Sequence, residues 1–189
     1  MEKERLAAFS DGVIAVIITI MVLELKPPQG SDFAALRAMA PSFLNYVLSF
    51  IYVAIYWNNH HHMLSTARRV NGAVLWANMH LLFWLALIPL TTEWVRQSFA
   101  ELPTAIYGAV LLFCALAYYL LQTIIIHTEG TRSVLAKAVG SDIKGKMSPV
   151  LYALGIGLSF WSPLTANFVY AFVALMWLVP DRRIEKVTG

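Results

Sequence analysis

Arg5, Ser10 and Asp11 fall at the start of a run, residues 6–25, that is otherwise apolar enough to enter a bilayer. Polar groups in such a segment are costly unless they find partners or line water, so they mark an ion path, a proton relay or an anchor between helices. Helical spacing separates these roles. At 100° per residue Gly12, Val16, Thr19, Ile20 and Leu23 share one stripe about 100° wide, while Ser10 and Asp11 point away from it. The run reads as a helix with an apolar face in front and a polar anchor behind. Glu24 closes the run beside Lys26, where it either rings an outer vestibule that attracts cations or is a solvated helix-end carboxylate.

A second polar group, Trp57-Asn58-Asn59-His60-His61-His62, lies near the end of the next apolar run. Three adjacent histidines invite a metal, but consecutive helical side chains diverge, whereas zinc helices place ligands at i and i+4. Position 64 is Leu and no Cys or carboxylate is near in sequence, so no metal is expected. One His should face the bundle and the others water or headgroups. Because the first helix starts where the second ends, Asp11 and His60 share a membrane depth, and His60 or Arg5 is the expected partner of Asp11. In the third run Asn78 and His80 are two apart and face different directions. The expected role of such a residue is an interhelical hydrogen bond. Ser10 and Asp11 with a distant His read as buried hydrogen bonding, so the chain is not expected to be an enzyme. No Gly-rich phosphate loop or nucleic-acid motif occurs, so neither a cofactor nor a nucleic-acid partner is expected.

The elements that must position these groups follow from composition. The chain has 189 residues, 59% hydrophobic and 13% charged, where a soluble domain carries about a quarter charged. That deficit is what lipid-facing surface demands, and it predicts an all-α, polytopic membrane protein, residues 1–189 forming one domain. Six segments approach the roughly 20 apolar residues a bilayer core requires: residues 6–25, 41–64, 73–95, 104–127, 147–161 and 163–179. The last two are short, and a tight Ser162-Pro163 turn between two spans is preferred to one re-entrant hairpin. Pro89 should kink the third near its outer end. With the N-terminus inside, Lys3, Arg5, Arg68, Arg69, Arg132, Lys137, Lys144, Lys146, Arg182, Arg183 and Lys186 are cytoplasmic and Lys26, Arg37 and Arg96 are outside, 11 against 3 of the 14 basic residues. This predicts cytoplasmic termini. Nothing in the first run reads as a cleaved signal peptide, Cys114 stands alone in an apolar run, and the absence of an internal repeat counts against a transporter built from paired halves.

Arg5-x-x-x-Phe9-Ser10-Asp11-Gly12, then Thr19, Leu23-Glu24 and Trp57-x-x-His60, resemble the signature of the endolysosomal potassium-channel family, transmembrane protein 175, in its prokaryotic form. The rest of the chain matches in hydropathy only. The resemblance implies a six-helix unit that carries the signature once, four subunits surrounding a pore, and no Thr-Val-Gly-Tyr-Gly filter of the ordinary potassium-channel kind. It implies that the first helix lines the pore, with bulky apolar side chains five and twelve residues after the signature Asp. Those are Val16 and Leu23, with Thr19 or Ile20 between them. It further implies that Arg5, Ser10, Asp11, Trp57 and His60 pack this helix against its neighbours.

The expected function is passive, potassium-preferring conduction of monovalent cations through a homotetrameric pore in a bacterial inner membrane, constricted by Val16, Thr19 or Ile20, and Leu23. The alternative is a proton-coupled ion or small-solute transporter using Asp11 and His60 as a relay.

Overall fold

The computed structural model describes residues 3–130, 133–140 and 142–178. Every regular element among them is an α-helix: α1 (Lys3–Leu23), α2 (Phe33–Thr66), α3 (Gly72–Leu85), α4 (Ile88–Gln97), α5 (Glu101–Glu129), α6 (Val134–Val139), α7 (Ile143–Ser159) and α8 (Pro163–Leu178). Arg132, Arg182, Arg183, Lys186 and the end of the sixth apolar run at Val179 lie outside the described residues. Four stretches are long and apolar enough to cross a membrane, Lys3–Leu23, Phe33–Thr66, Gly72–Gln97 and Glu101–Glu129; Pro163–Leu178 is apolar but shorter. The chain is a multi-pass membrane protein.

Helix ends depart from the hydropathy reading where capping and proline chemistry act. The second helix begins at Phe33, well before Pro41, because the Asp32 carboxylate accepts from the Ala35 N–H at 2.9 Å and caps it. Pro41 is accommodated inside, as membrane helices permit. The third apolar run is two helices rather than one kinked helix. Pro89 has no N–H and its ring collides with the carbonyl of Leu85, so α3 stops there and α4 restarts with Pro89 in its first turn. The polar stretch after α5 holds a short helix, α6, which apolar periodicity does not reveal. After α7 the Ser162 N–H donates to the Leu158 carbonyl at 2.8 Å, and the chain turns straight into α8.

α5 is the hub, packing on α3, α4, α7 and α8, while α1 packs on α2, α3 and α4. The α5–α7–α8 contact closes around one ring. A Cβ added at Gly108 would lie 2.0 Å from the Tyr170 hydroxyl, and one at Gly155 would lie 2.4 Å from the edge of the same ring. Across the middle, Asn45 donates to the Thr92 carbonyl at 3.0 Å, the Thr92 hydroxyl donates to Ser49 at 2.7 Å, and Ser49 bonds the Tyr107 hydroxyl at 3.0 Å. These bonds tie α2, α4 and α5 with the polar atoms partnered among themselves.

The two ends of the bundle differ in charge. At one end the Lys3 ammonium donates to the Ser65 carbonyl at 2.9 Å, and the N–H groups of Arg68 and Arg69 both donate to the Glu129 carboxylate at 2.7 Å. The start of α1, the α2–α3 connection and the end of α5 therefore meet there. At the opposite end Arg96 forms an ion pair with Glu93, close to Glu24.

Candidate functional site

α1 divides cleanly into two sides. Leu6, Ser10, Ile14, Ile17 and Met21, spaced four, four, three and four apart, are buried against the bundle. Opposite them Gly12, Val16, Thr19, Ile20 and Leu23 are exposed. The contrast is large: Ile14 is 1% exposed, Val16 55% and Leu23 80%. A Cβ at Gly12 would meet nothing within 4 Å. Val16 and Ile20 line an open groove of about 700 Å³ shared with Pro89, Leu90 and Glu93. The Thr19 hydroxyl donates to the carbonyl of Val16 at 2.9 Å, so it satisfies its hydrogen within its own helix.

Behind this face lies a continuous set of hydrogen bonds. The Ser10 hydroxyl, with no exposed area, donates to the Leu6 carbonyl at 2.9 Å. It accepts from the Asn78 amide, also at 2.9 Å. The Asn78 carbonyl oxygen lies 2.7 Å from Nε2 of His60, and since that oxygen only accepts, His60 must donate through Nε2. Side chains from α1, α3 and α2 thus form one buried chain. One turn away the Trp57 indole N–H donates to the Asp11 carboxylate at 2.9 Å, joining α1 to α2 a second time. The Ser10, Asn78 and His60 links are buried, where low dielectric strengthens such bonds and an unpaired member is costly; the Trp57–Asp11 bond is exposed.

Of the five residues expected in the anchor, Ser10, Asp11, Trp57 and His60 bond α1 to its neighbours, and Arg5 does not. Arg5 is exposed and, among the described residues, has no hydrogen bond or ion pair. The reason is register. Arg5 and Leu23 are 18 residues apart, about five helical turns, so Arg5 stands on the open side of α1 rather than on the Ser10 side. Asp11 takes an indole N–H as partner, not His60 or Arg5. Asp11 and His60 make their hydrogen bonds to different partners, Trp57 and Asn78. Asn78, which the sequence marks only as a polar residue on an apolar helix, is the joint between Ser10 and His60.

The other polar candidates separate. His60 is buried, whereas His61 is exposed with its ring 5.9 Å from Trp57 and 5.8 Å from His62. His80 is exposed on the far side of α3 from Asn78 and accepts from the Trp84 indole at 2.9 Å. Glu24 is exposed and lines the groove together with Glu93. Sequence reasoning singled out Glu24 but not the Glu93–Arg96 pair beside it; their i, i+3 spacing in α4 was the available signal.

Comparison with known proteins bears on this arrangement. A family model described as endosomal/lysosomal potassium channel TMEM175 matches residues 5–89, the stretch that contains all but the first two residues of α1, all of α2 and α3, and every residue of the two anchoring links. A potassium channel of Chryseobacterium sp. (strain P1-3) is 56% identical over 187 residues, covering 98% of this chain and 97% of that one. A potassium channel of Streptomyces collinus is 35% identical over 177 residues, 87% of this chain and 86% of its own. The crystal structure of a lysosomal potassium-selective channel TMEM175 homolog from Chamaesiphon minutus superposes with a TM-score of 0.84 at 27% identity, covering 95% of this chain and 98% of that one. With the signature on α1, the shared fold and likeness along nearly its whole length, the chain belongs to the TMEM175 family of potassium channels, which are ion channels and not enzymes.

Proposed function

We propose that four copies of this chain assemble around a central axis and conduct monovalent cations passively, potassium in preference to others, with α1 lining the pore. The observation that carries this reading is the two-sidedness of α1. Its buried side is fully engaged and fastened by hydrogen bonds, while Val16 and Leu23 stand uncovered. An apolar helix face needs lipid or another copy against it, and a cyclic assembly presents the same face from every subunit to one axis.

In that assembly Val16, Leu23 and the Thr19/Ile20 level between them form stacked apolar rings. Such rings carry no charge or carbonyl to replace hydration water. Conduction then depends on wetting of the constriction, and selectivity follows from which ion sheds or reshapes its water at least cost. Glu24 stands exposed at the outer vestibule, where its charge attracts cations to the entrance, while Glu93 beside it is paired with Arg96. Ser10, Asp11, Trp57 and His60, with Asn78, hold the helix at its register rather than touching the ion.

Each subunit in this reading crosses the membrane six times, the shorter α7 and α8 included, with both termini cytoplasmic in a bacterial inner membrane. The gathering of Lys3, Arg68 and Arg69 at one end of the bundle supports that orientation.

Single-assembly recording in planar bilayers tests the function. The expected result is stepwise current whose reversal potential follows the potassium gradient, from a detergent-solubilised particle with the mass of four chains. Slow, saturating uptake without current steps would replace the channel by a transporter.

A further inference from the structure

Remote from α1, a partly open cavity of about 40 Å³ lies between α2, α5, the start of α7 and the end of α8. That is room for about three waters, or one compact organic group of the same bulk. Rings of Tyr52, Tyr118, Tyr119, Tyr152 and Trp177 wall it, and the one formal charge among its lining residues is Asp142.

Two polar side chains there are nearly buried yet line the cavity. Tyr56 is 9% exposed and Gln122 6%, and neither the hydroxyl nor the amide makes a hydrogen bond among the described residues. Every fully sealed polar side-chain atom among those residues has a partner, so these two groups must open onto free space, and the cavity is the space they line. Asn59 adds an acceptor: its amide N–H donates to the Ile55 carbonyl at 2.8 Å, leaving the oxygen available. Asp142 is held at the rim by its own backbone. Its φ of 38° is left-handed, it accepts from the Gly145 N–H at 3.0 Å, and a Cβ at Gly145 would lie 2.2 Å from its carboxylate.

Aromatic faces attract an ammonium through their quadrupoles, a carboxylate adds charge, and the Asn59, Gln122 and Tyr56 oxygens accept its N–H groups. We propose that this cavity binds a small organic cation, an ammonium headgroup, at a site separate from the pore. The site also touches the anchor. Tyr56 adjoins Trp57, which holds Asp11, and Asn59 adjoins His60, which holds Asn78. An occupant therefore grips the two turns of α2 that fasten α1, and is placed to adjust conduction; this last step rests on the channel reading, whereas binding does not.

Thermal unfolding of the purified full chain in ethylammonium chloride, against equal sodium chloride, tests it. The midpoint should rise saturably with the ammonium. Asp142→Asn keeps the capping oxygen and removes the charge, so apparent affinity should fall about tenfold. Ala115→Leu, which fills the cavity, should abolish the rise, and Leu23→Ala should leave it intact. No saturable rise, an equal rise with uncharged ethanol, or insensitivity to both cavity variants would overturn the proposal. In nanodiscs, competition by phosphatidylethanolamine against phosphatidylglycerol alone identifies a lipid headgroup as the natural ammonium; unaltered binding identifies a free amine. A chain that binds the ammonium but conducts nothing would overturn the channel reading and leave this site standing.

Discussion

The Asn78 amide donates to the Ser10 hydroxyl at 2.9 Å, so the helix with the open apolar face is fastened from behind by a side chain of α3. Ser10 itself donates to a carbonyl of its own helix, and Asn78 passes the link on to His60. One amide thus fixes the rotation of α1 relative to two neighbours.

Asn78→Leu should lower the unfolding midpoint, because it leaves the His60 N–H buried without an acceptor. Interhelical hydrogen bonds in membranes are modest, averaging about 0.6 kcal/mol, but an orphaned buried group costs about 1–3 kcal/mol. A double-mutant cycle with Ser10→Ala in detergent should therefore return a coupling energy near the smaller figure and an Asn78→Leu penalty near the larger.

Asp11→Asn retains an oxygen to accept from Trp57, whereas Trp57→Phe removes the donor. The second change should reduce assembly and stability more than the first, with potassium preference of surviving channels little altered in both. Expression yield, native mass and reversal potential measured together check this. A normally assembled Asp11→Asn channel with changed ion preference would move Asp11 into the ion path.

The glycines give a sharper contrast. Gly108→Ala drives a methyl into Tyr170, 2.0 Å from its hydroxyl, and Gly155→Ala drives one into the same ring; overpacking of this kind costs about 1–3 kcal/mol or more. Gly157→Ala meets nothing within 4 Å and should be neutral or gain up to about 1 kcal/mol from helix propensity. Thermal unfolding of the three variants side by side checks the order.

Leu23→Ala removes apolar bulk where α1 is most exposed. It should wet the constriction, raising unitary current and weakening the preference for potassium over sodium. Both quantities come from one bi-ionic recording.

Much of this arrangement is legible in the residues themselves. The spacing of Gly12, Val16 and Leu23 locates the open side of α1 because helical periodicity alone fixes which side chains share a face. Ser10 falls on the opposite side for the same reason. What periodicity cannot supply is partner identity. Asn78 could be read as a hydrogen-bonding residue, but its pairing with Ser10 and His60 depends on how three helices cross. Arg5 belongs to the anchor by the resemblance, but the six-residue step between it and Asp11 turns it about 120° away, onto the open side of α1. The break before Pro89 was legible as a kink and became a full interruption, since proline removes a donor and blocks the preceding carbonyl at once. The start of α2 at Phe33 was signalled by Asp32, a capping residue that hydropathy ignores. α6 and the tyrosine-walled cavity arise from packing that no single segment encodes.

Cysteine accessibility along α1 tests the central claim most directly, and Cys114, with no exposed area, provides a silent background. Single cysteines at Val16, Thr19, Ile20 and Leu23, and at Ile14, Ile17 and Met21, would be treated with a water-soluble methanethiosulfonate during current recording. Block at Val16, Leu23 and at least one of Thr19 and Ile20, with no effect at Ile14, Ile17 or Met21, is the predicted pattern. Unmodified current at Leu23→Cys and Val16→Cys in assembled channels, or block at the buried stripe instead, would mean that another helix lines the pore.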